Sequence, residues 1–364
     1  MNSAHELSTL IEALRTLRHE KNPKAALATL TRTRGSTFRR PGTRMLVLGD
    51  GSVVCELSGG CPQRDIVNRA QEVITAALPI LIRYNADSGL DVLLEMGCGG
   101  ELEVLLEPLT TAQSMNFVDA IAQCLTERRC AYLATLFAID ETVVMPQRML
   151  WSEHAVLHDD IQDPTLFRSL VDAIASASDK HTITLRVPSA RGTADVLVEP
   201  LTPPHALIVI GSSAAARALL PLAKALGWQT TLVDHDPARL QATQLPTGLN
   251  AVCASPASLR DALPLDAHSS VVVMTHNLEQ DIAYLAALRG APVAYLGALG
   301  SRGRVARMRD DPALAGLHVH APAGLDIGSE TPEEIALAIA AEIMAVTNHR
   351  SGSPLHDNEG AIHG

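Results

Sequence analysis

The fold of the second half of the chain is indicated by the stretch Ala206-Leu207-Ile208-Val209-Ile210-Gly211-Ser212-Ser213-Ala214-Ala215-Ala216. A short apolar strand runs into a glycine turn, and the alanine-rich residues after the turn favour a helix. Further apolar strands alternate with helical patterns, at Gln229–Val233, Ala251–Ala254, Ser270–Thr275, Val293–Leu296 and Leu317–His320. This alternation predicts an α/β domain with a doubly wound, Rossmann-like parallel sheet over residues 203–348. Its last helix is predicted to begin at Thr331, with a capping box to Glu334.

The glycine turn departs from the usual dinucleotide-binding pattern, in which glycines occupy the first and third positions. Here Ser213 stands at the third position, where a glycine normally lets the backbone approach a pyrophosphate. Asp234 lies 23 residues beyond Gly211 at the end of the second strand, where an acidic residue can bind a ribose hydroxyl. Gly211, Ser213 and Asp234 are therefore candidate nucleotide contacts, although Ser213 disfavours ordinary dinucleotide geometry.

Polar residues follow the later strands of the predicted sheet. His276 comes after the fourth strand, Ser301 and Arg302 after the fifth, and Asp326 after the sixth. Because open α/β sheets bind ligands at the carboxyl ends of their strands, we predict that these residues contact a ligand. The alternatives are that His276 makes an ordinary loop hydrogen bond and that Asp326 holds its own loop through local N–H groups.

The first half of the chain contains an internal repeat. Val104-Leu105-Leu106-Glu107-Pro108-Leu109-Thr110 recurs as Val196-Leu197-Val198-Glu199-Pro200-Leu201-Thr202, and Arg44-Met45-Leu46 recurs as Arg148-Met149-Leu150. These matches predict a duplicated α+β unit over residues 20–202. We therefore expect an α+β domain at residues 1–202, the Rossmann-like domain at 203–348, and a disordered polar tail at 349–364.

A basic loop follows the first strand of the first copy. It extends from Arg32 to Gly42 and contains four arginines, two glycines and several hydroxyl groups. The candidate binding residues within it are Arg34, Gly35, Ser36, Arg39 and Arg40. Such a loop can cradle a phosphate or another anion. The alternative is a basic loop that is merely solvated.

Two cysteines of the first copy lie beside glycines. Ser58-Gly59-Gly60-Cys61 separates a strand from a helical pattern, so backbone N–H groups and the positive end of the helix can stabilise a thiolate or an anion. The alternative is a tight turn with a buried thiol. Cys98-Gly99 is a second site of this kind. The second copy has neither the basic loop nor a Gly-Gly-Cys turn, so we expect the first copy to carry the chemistry and the second to be a scaffold.

The composition is that of a globular protein, with 47% hydrophobic and 19% charged residues. A net charge of −11 argues against a general nucleic-acid binder, and 3% aromatic residues argue against base-stacking platforms. The six cysteines form no CxxC pair, which fits a reducing compartment. No apolar run approaches membrane-spanning length, and the N-terminus lacks the uncharged core of a signal peptide. We therefore expect a cytoplasmic protein that does not bind membranes.

Together these motifs resemble the XdhC/CoxI family, the accessory proteins of xanthine-dehydrogenase-type molybdenum hydroxylases. The resemblance covers both domains and rests on Arg34-Gly35-Ser36-Thr37, Arg39-Arg40-Pro41-Gly42, Ser58-Gly59-Gly60-Cys61, Gly97-Cys98-Gly99-Gly100, Val273-Met274-Thr275-His276, Gly300-Ser301-Arg302, Gly324-Leu325-Asp326-Ile327-Gly328 and Thr331-Pro332-Glu333-Glu334-Ile335-Ala336. It implies a chaperone, more than a classical enzyme, that binds molybdenum cofactor as molybdopterin or its cytosine dinucleotide. It also implies sulfuration of the cofactor with a cysteine desulfurase, insertion into a molybdenum hydroxylase of the xanthine dehydrogenase family, and a homodimer.

Within this resemblance Cys61 is the candidate molybdenum ligand or guard of the terminal sulfur, because a soft thiolate suits a metal–sulfur centre. Cys98 is the second candidate. The chain departs from the family where Pro62-Gln63 replace a common Val-Glu, and where Ser213-Ala214 replace Gly-His. Two alternatives are an NAD(P)-dependent oxidoreductase that uses the Rossmann-like domain, and a scaffold that only bridges a hydroxylase and a desulfurase.

Overall fold

The computed structural model describes residues 4–35, 37–57, 61–85, 100–152, 155–176, 181–242 and 249–357. The chain divides into two compact units, residues 1–203 and 204–364. The first contains two antiparallel sheets and the second a parallel sheet, so the predicted fold class is confirmed. Among the described residues, no helix has the length and hydropathy that a transmembrane span requires.

The first unit consists of four helices and ten strands among its described residues. The helices are α1 (Ala4–Arg18), α2 (Cys61–Ala76), α3 (Phe117–Thr126) and α4 (Pro164–Ser176). The strands are β1 (Ala25–Arg34), β2 (Arg44–Leu48), β3 (Val53–Val54), β4 (Ile80–Tyr84), β5 (Glu101–Leu109), β6 (Ala131–Ile139), β7 (Thr142–Trp151), β8 (Val156–Asp159), β9 (Ile183–Ser189) and β10 (Gly192–Leu201).

The repeat found in the sequence is also a repeat of structure. The first sheet has the strand order β3-β2-β1-β5-β4, and the second has the same order, β8-β7-β6-β10-β9. The repeated Arg-Met-Leu stretches lie in β2 and β7, and the repeated Glu-Pro-Leu stretches lie in β5 and β10. Each copy also has a helix, α2 or α4, between its third and fourth strands.

The two sheets pack face to face. Successive side chains along each strand point alternately to the other sheet and to a helix on the outer face. Leucines of both sheets meet in one core with α1 and α3, namely Leu27, Leu46, Leu109, Leu133, Leu150 and Leu201. The opposite face of the first sheet packs on α2 through Ile66, Ala70 and Val73, whose spacing puts them on one side of that helix. The second sheet packs on α4 in the same way, through Leu166 and Leu170.

Two buried ion pairs link the copies reciprocally. Arg44 of the first copy makes a bidentate pair with Glu199 of the second, with one Nη1–Oε1 distance of 2.7 Å. Arg148 of the second copy pairs with Glu107 of the first, with an Nη1–Oε2 distance of 3.0 Å. These four residues are the repeated arginine and the repeated glutamate of the sequence pattern, so the repeat carries its own inter-sheet contacts.

The second unit is a five-stranded parallel sheet with the order β13-β12-β11-β14-β15. Its strands are β11 (Ala206–Ile210), β12 (Gln229–Asp234), β13 (Asn250–Cys253), β14 (Ser269–Val273) and β15 (Tyr295–Ala298). Its helices are α5 (Ala214–Ala225), α6 (Pro237–Ala242), α7 (Leu259–Ala262), α8 (Leu278–Ala287), α9 (Arg302–Arg309) and α10 (Pro332–Thr347). The strand order reverses between β11 and β14, which is where such sheets bind ligands.

Two predictions about this unit have clear outcomes. The capping box is confirmed, because the Thr331 side chain accepts the Glu334 N–H while the Glu334 side chain accepts the Thr331 N–H. The predicted strand Leu317–His320 is wrong in length, because only a single parallel bridge joins His320 to Gly297. Part of the predicted tail, residues 358–364, lies outside the described residues.

Candidate functional site

Two of the predicted motifs of the first copy, the basic loop and the Cys61 helix, begin at the same end of its sheet. Arg34 at the end of β1 lies opposite Glu101 at the start of β5, and Tyr84 at the end of β4 lies opposite Leu102. The basic loop follows β1, and the segment with Cys98 joins β4 to β5. The Tyr84 hydroxyl donates to Asp65 at 2.7 Å, one helical turn after Cys61. The start of α2 therefore lies at the same end of the sheet, on the face that carries Tyr84 and Leu102, whereas Arg34 and Glu101 are on the other face.

Part of the predicted site cannot be placed within this geometry. Ser36, Ser58, Gly59, Gly60, Cys98 and Gly99 lie outside the described residues, and so does the side chain of Cys61. Cys61 is described only as the first residue of α2. The described residues contain no cluster of three or more His, Cys, Asp or Glu side chains that would hold a metal ion. The roles predicted for Cys61 and Cys98 stay predictions.

The described residues at this end of the sheet line a cleft of about 320 Å³. Its lining consists of Arg32, Thr33, Arg34, Arg83, Tyr84, Asn85, Glu101, Leu102 and Glu103. Of this set, Arg34 was predicted from the sequence, whereas Arg83 and Glu103 were not. Arg83 and Glu103 carry opposite charges and are paired across β4 and β5. The sequence does not give this strand register, so it did not indicate the pair.

The floor of the cleft is an ion-pair network around Glu103. Its buried carboxylate accepts from the Thr31 hydroxyl at 2.9 Å, from Arg32 Nη1 at 2.6 Å and from Arg83 Nε at 2.9 Å. The other terminal nitrogen of Arg32, Nη2, lies 2.5 Å from Asp195 Oδ1 in β10 of the second copy. The second copy therefore supplies a carboxylate to a lining arginine, and the expectation that this copy is a scaffold stays a prediction.

The arginines of the basic loop differ in their surroundings. Arg39 makes a bidentate pair with Glu6 of α1, at 2.7 and 3.2 Å, so its guanidinium ties the loop to the first helix. Arg34 is exposed, and among the described residues its guanidinium has no ion-pair or hydrogen-bond partner. Arg40 is also exposed. Gly35 has a φ of 71°, a conformation that favours glycine. Arg34 is thus an arginine of this loop that lines the cleft and can donate to a ligand.

In the second unit, the turn after β11 needs Gly211. Its φ is 101°, and a Cβ atom there would lie 2.9 Å from the Met274 carbonyl oxygen. Ser213 is buried and caps α5, because its hydroxyl accepts the Ala216 N–H at 3.1 Å. The serine that replaces the second glycine therefore uses its side chain to begin the helix.

Asp234 ends β12 as predicted, but its carboxylate is buried and occupied by its own loop. It accepts from the Ser212 hydroxyl at 3.3 Å and from the Asp236 N–H at 3.0 Å, and its Oδ1 lies 3.2 Å from His235 Nδ1. The second ring nitrogen of His235 lies 3.0 Å from Gln280 at the start of α8. These contacts leave little of the carboxylate for a ribose hydroxyl.

The remaining predicted residues of this unit are exposed: His276, Ser301, Arg302 and Asp326. Ser301 caps α9, since its hydroxyl accepts the Arg304 N–H at 3.4 Å. The carboxylate of Asp326 has no hydrogen-bond or ion-pair partner in the described part of the chain. Among the described residues, no hydrogen bond or ion pair joins any two of these four side chains.

A buried pair at the same edge of the sheet was not predicted from the sequence. Asp281 is fully buried and lies 2.5 Å from Arg304 Nη2, while Arg304 also donates to the carbonyl oxygens of Thr275 and His276. Burial raises the pKa of Asp281, in opposition to its hydrogen bonds from Thr275 and Arg304 and to the Arg304 charge. The pair fixes the turn that presents His276.

The fold and these sites define a two-unit α/β protein in which a Rossmann unit follows a duplicated antiparallel unit with an arginine-lined cleft. Residues 207–343 match the family model described as the XdhC Rossmann domain, and residues 19–85 match that of the XdhC and CoxI family. The chain belongs to the XdhC and CoxI family. The second match includes the basic loop, the start of α2 and strand β4.

Relatives and a solved structure extend the likeness to nearly the whole chain. A Bacillus subtilis (strain 168) protein, described as a probable xanthine dehydrogenase subunit, is 26% identical over 341 residues, 92% of this chain and 96% of that protein. The molybdenum cofactor insertion chaperone PaoD of Escherichia coli (strain K12) is 24% identical over 335 residues, 90% of this chain and 84% of PaoD. A crystal structure of a xanthine dehydrogenase from Bacillus halodurans has the same fold, with a TM-score of 0.72 at 24% identity over 95% of this chain and 98% of that one.

Proposed function

We propose that this protein is a molybdenum cofactor-binding chaperone that supports sulfuration of the cofactor and its insertion into a molybdenum hydroxylase of the xanthine dehydrogenase family. Family membership supports this proposal, together with the likeness to a chaperone that inserts molybdenum cofactor. The bound cofactor would be molybdopterin or its cytosine dinucleotide. A cysteine desulfurase and a second copy of the chain are the further proposed partners.

The observation that supports the proposal is that an arginine of the basic loop and the first residue of the Cys61 helix lie at one end of the first sheet. Arg34 lines the cleft there, and Cys61 begins α2 at the same end. Guanidinium groups suit an anionic pterin, and a thiolate at a helix N-terminus is a soft ligand for a molybdenum–sulfur centre. When bound, the cofactor would supply the molybdenum and its terminal sulfur, while these residues bind and shield it.

The experiment is anaerobic reconstitution of the purified chain with molybdenum cofactor, followed by gel filtration and measurement of retained pterin. We expect Cys61→Ala to retain at least about tenfold less cofactor than the wild type, since loss of a metal ligand or its support has effects of this size. Cys130→Ala is the matched control, because Cys130 is an exposed cysteine of the same unit. Equal retention by the wild type and both variants would remove Cys61 from the site.

The oxidoreductase alternative has less support. A dinucleotide would need a phosphate contact near Ser213 and a ribose contact at Asp234, and both side chains already have protein partners. Titration with NAD(H) and NADP(H) decides this point. Saturable binding of either dinucleotide would restore the alternative.

A further inference from the structure

Two oppositely charged side chains at the mouth of the cleft lie opposite each other and have no partner among the described residues. Arg34 and Glu101 are directly paired across β1 and β5, so their Cβ atoms are close neighbours on one face of the sheet. Both side chains are exposed, both line the cleft, and within the described ranges no ion pair joins them or engages either one. We propose that this pair recognises the 2-amino-4-oxopyrimidine edge of a pterin. This inference rests on the proposed function and names the part of the ligand that the cleft binds.

The chemistry of the pair matches this edge better than it matches a phosphate. The edge presents an amino group and a ring N–H side by side, and next to them a carbonyl oxygen. A carboxylate accepts the two N–H groups, and a guanidinium donates to the carbonyl oxygen. Guanine, which has the same edge, is read by arginine in this way. A phosphate dianion would use Arg34 but would be repelled by the Glu101 carboxylate beside it.

The other charged side chains of the cleft already have partners within the protein. The lining carboxylate Glu103 is buried and accepts from Arg32 and Arg83, and Arg32 also donates to the buried Asp195 behind it. The charged side chains that line the cleft are three arginines and two glutamates, and Arg32 and Arg83 are already paired with Glu103. Among the described residues, Arg34 and Glu101 are therefore the charged lining side chains that remain to contact a ligand. The volume of about 320 Å³ is at the lower end of small-molecule sites, which suits a single ring system.

The test compares pterin with lumazine, a pteridine that has an oxygen in place of the amino group at C2. Equilibrium titrations of the full-length chain use the fluorescence of each compound. We expect the wild type to bind pterin roughly tenfold more tightly than lumazine, and Glu101→Gln to bring the ratio close to one, as expected for loss of a paired hydrogen-bond contact. Arg34→Ala is expected to weaken both compounds, because both keep the carbonyl oxygen at C4. Glu72→Gln, at an exposed glutamate of α2, is the matched control and should keep the wild-type ratio.

The outcomes separate this inference from the function on which it rests. An unchanged pterin-to-lumazine ratio in Glu101→Gln, in a chain that still retains whole cofactor through Cys61, overturns the inference and leaves the proposed function in place. Absence of both pterin and whole-cofactor binding overturns both. Guanosine monophosphate is the third arm, since it carries the same edge on a purine. Tighter binding of this nucleotide than of pterin, with the same loss in Glu101→Gln, would overturn the assignment to a pterin.

Discussion

Arg32 and Asp195 form an ion pair 2.5 Å long that joins the two copies of the first unit beneath the cleft. The same guanidinium lies 2.6 Å from Glu103. Glu103 and Asp195 each lie four residues before the repeated glutamate, Glu107 or Glu199, so they are equivalent positions of the repeat. One arginine of the first copy thus binds the equivalent carboxylates of both copies. The two copies therefore contribute unequally to these ion pairs, since the arginine comes from the first copy alone.

The Arg32–Asp195 pair is expected to couple the copies energetically. Because Asp195 is buried and Arg32 is about one-third exposed, we expect a coupling energy of about 1 kcal/mol in a double-mutant cycle of Arg32→Gln and Asp195→Asn. Urea unfolding of the four proteins measures it. Strictly additive effects of the two substitutions would show that the pair is only a surface contact.

The buried pair of Arg44 and Glu199 is expected to have a larger effect when it is broken on one side only. Glu199→Ala leaves the Arg44 guanidinium buried without its carboxylate, and we expect a loss of about 3–5 kcal/mol in the free energy of unfolding. The double variant Arg44→Met, Glu199→Leu should recover most of that loss, because it removes both charges and keeps the volume. A double variant no more stable than Glu199→Ala would contradict this account of the inter-sheet core.

Gly211 is expected to tolerate no side chain. The Gly211→Ala substitution puts a Cβ atom 2.9 Å from the Met274 carbonyl oxygen at a φ of 101°, so we expect a loss of at least about 2 kcal/mol from strain and contact. Gly303→Ala is the control, since no described atom lies within 4 Å of a Cβ at that position and it is inside α9. Thermal unfolding should show Gly303→Ala unchanged or stabilised. Equal behaviour of the two variants would refute the close approach.

The capping box of α10 predicts a specific pH dependence. The pKa of Glu334 lies below its usual value because its carboxylate accepts the backbone N–H groups of Thr331 and Glu330. A carboxylate with a lowered folded-state pKa stabilises the fold above its unfolded pKa, near 4.5, and loses this effect as the pH falls through the folded-state pKa.

The difference in Tm between the wild type and Glu334→Gln should therefore be full at neutral pH and shrink in acid. Glu333→Gln is the control, because Glu333 shares the first turn of the helix while the capping contacts are made by Glu334. A Tm difference that stays constant down to about pH 3, below the ordinary glutamate pKa, would exclude this role for Glu334.

Local patterns were sufficient to predict the fold. The alternation of strands and helices after Pro204 and the repeated Arg-Met-Leu and Glu-Pro-Leu stretches both depend on neighbouring residues, and both correspond to elements of the structure. The predicted strand Leu317–His320 was wrong because an apolar pattern does not indicate which strand it pairs with. Within this stretch only His320 forms a bridge, to Gly297. Strand existence follows from sequence more readily than strand partnership.

The site was harder to predict because its contacts are non-local. Arg83 reaches Glu103 through the register of β4 on β5, and Asp195 reaches Arg32 from the other copy, 163 residues away. The buried pair of Asp281 and Arg304 was missed for the same reason. Ser213 was correctly marked as a departure in the turn, but its capping of α5 depends on the φ and ψ of that turn.

Binding of molybdenum cofactor is tested by purifying the chain without oxygen from cells that make this cofactor. Bound pterin is then oxidised and measured as its fluorescent derivative, per mole of chain. We predict a molybdopterin derivative in the wild type and in Cys130→Ala, and at least about tenfold less in Cys61→Ala. Wild-type chain without any pterin, from cells shown to contain the cofactor, would contradict the proposed function.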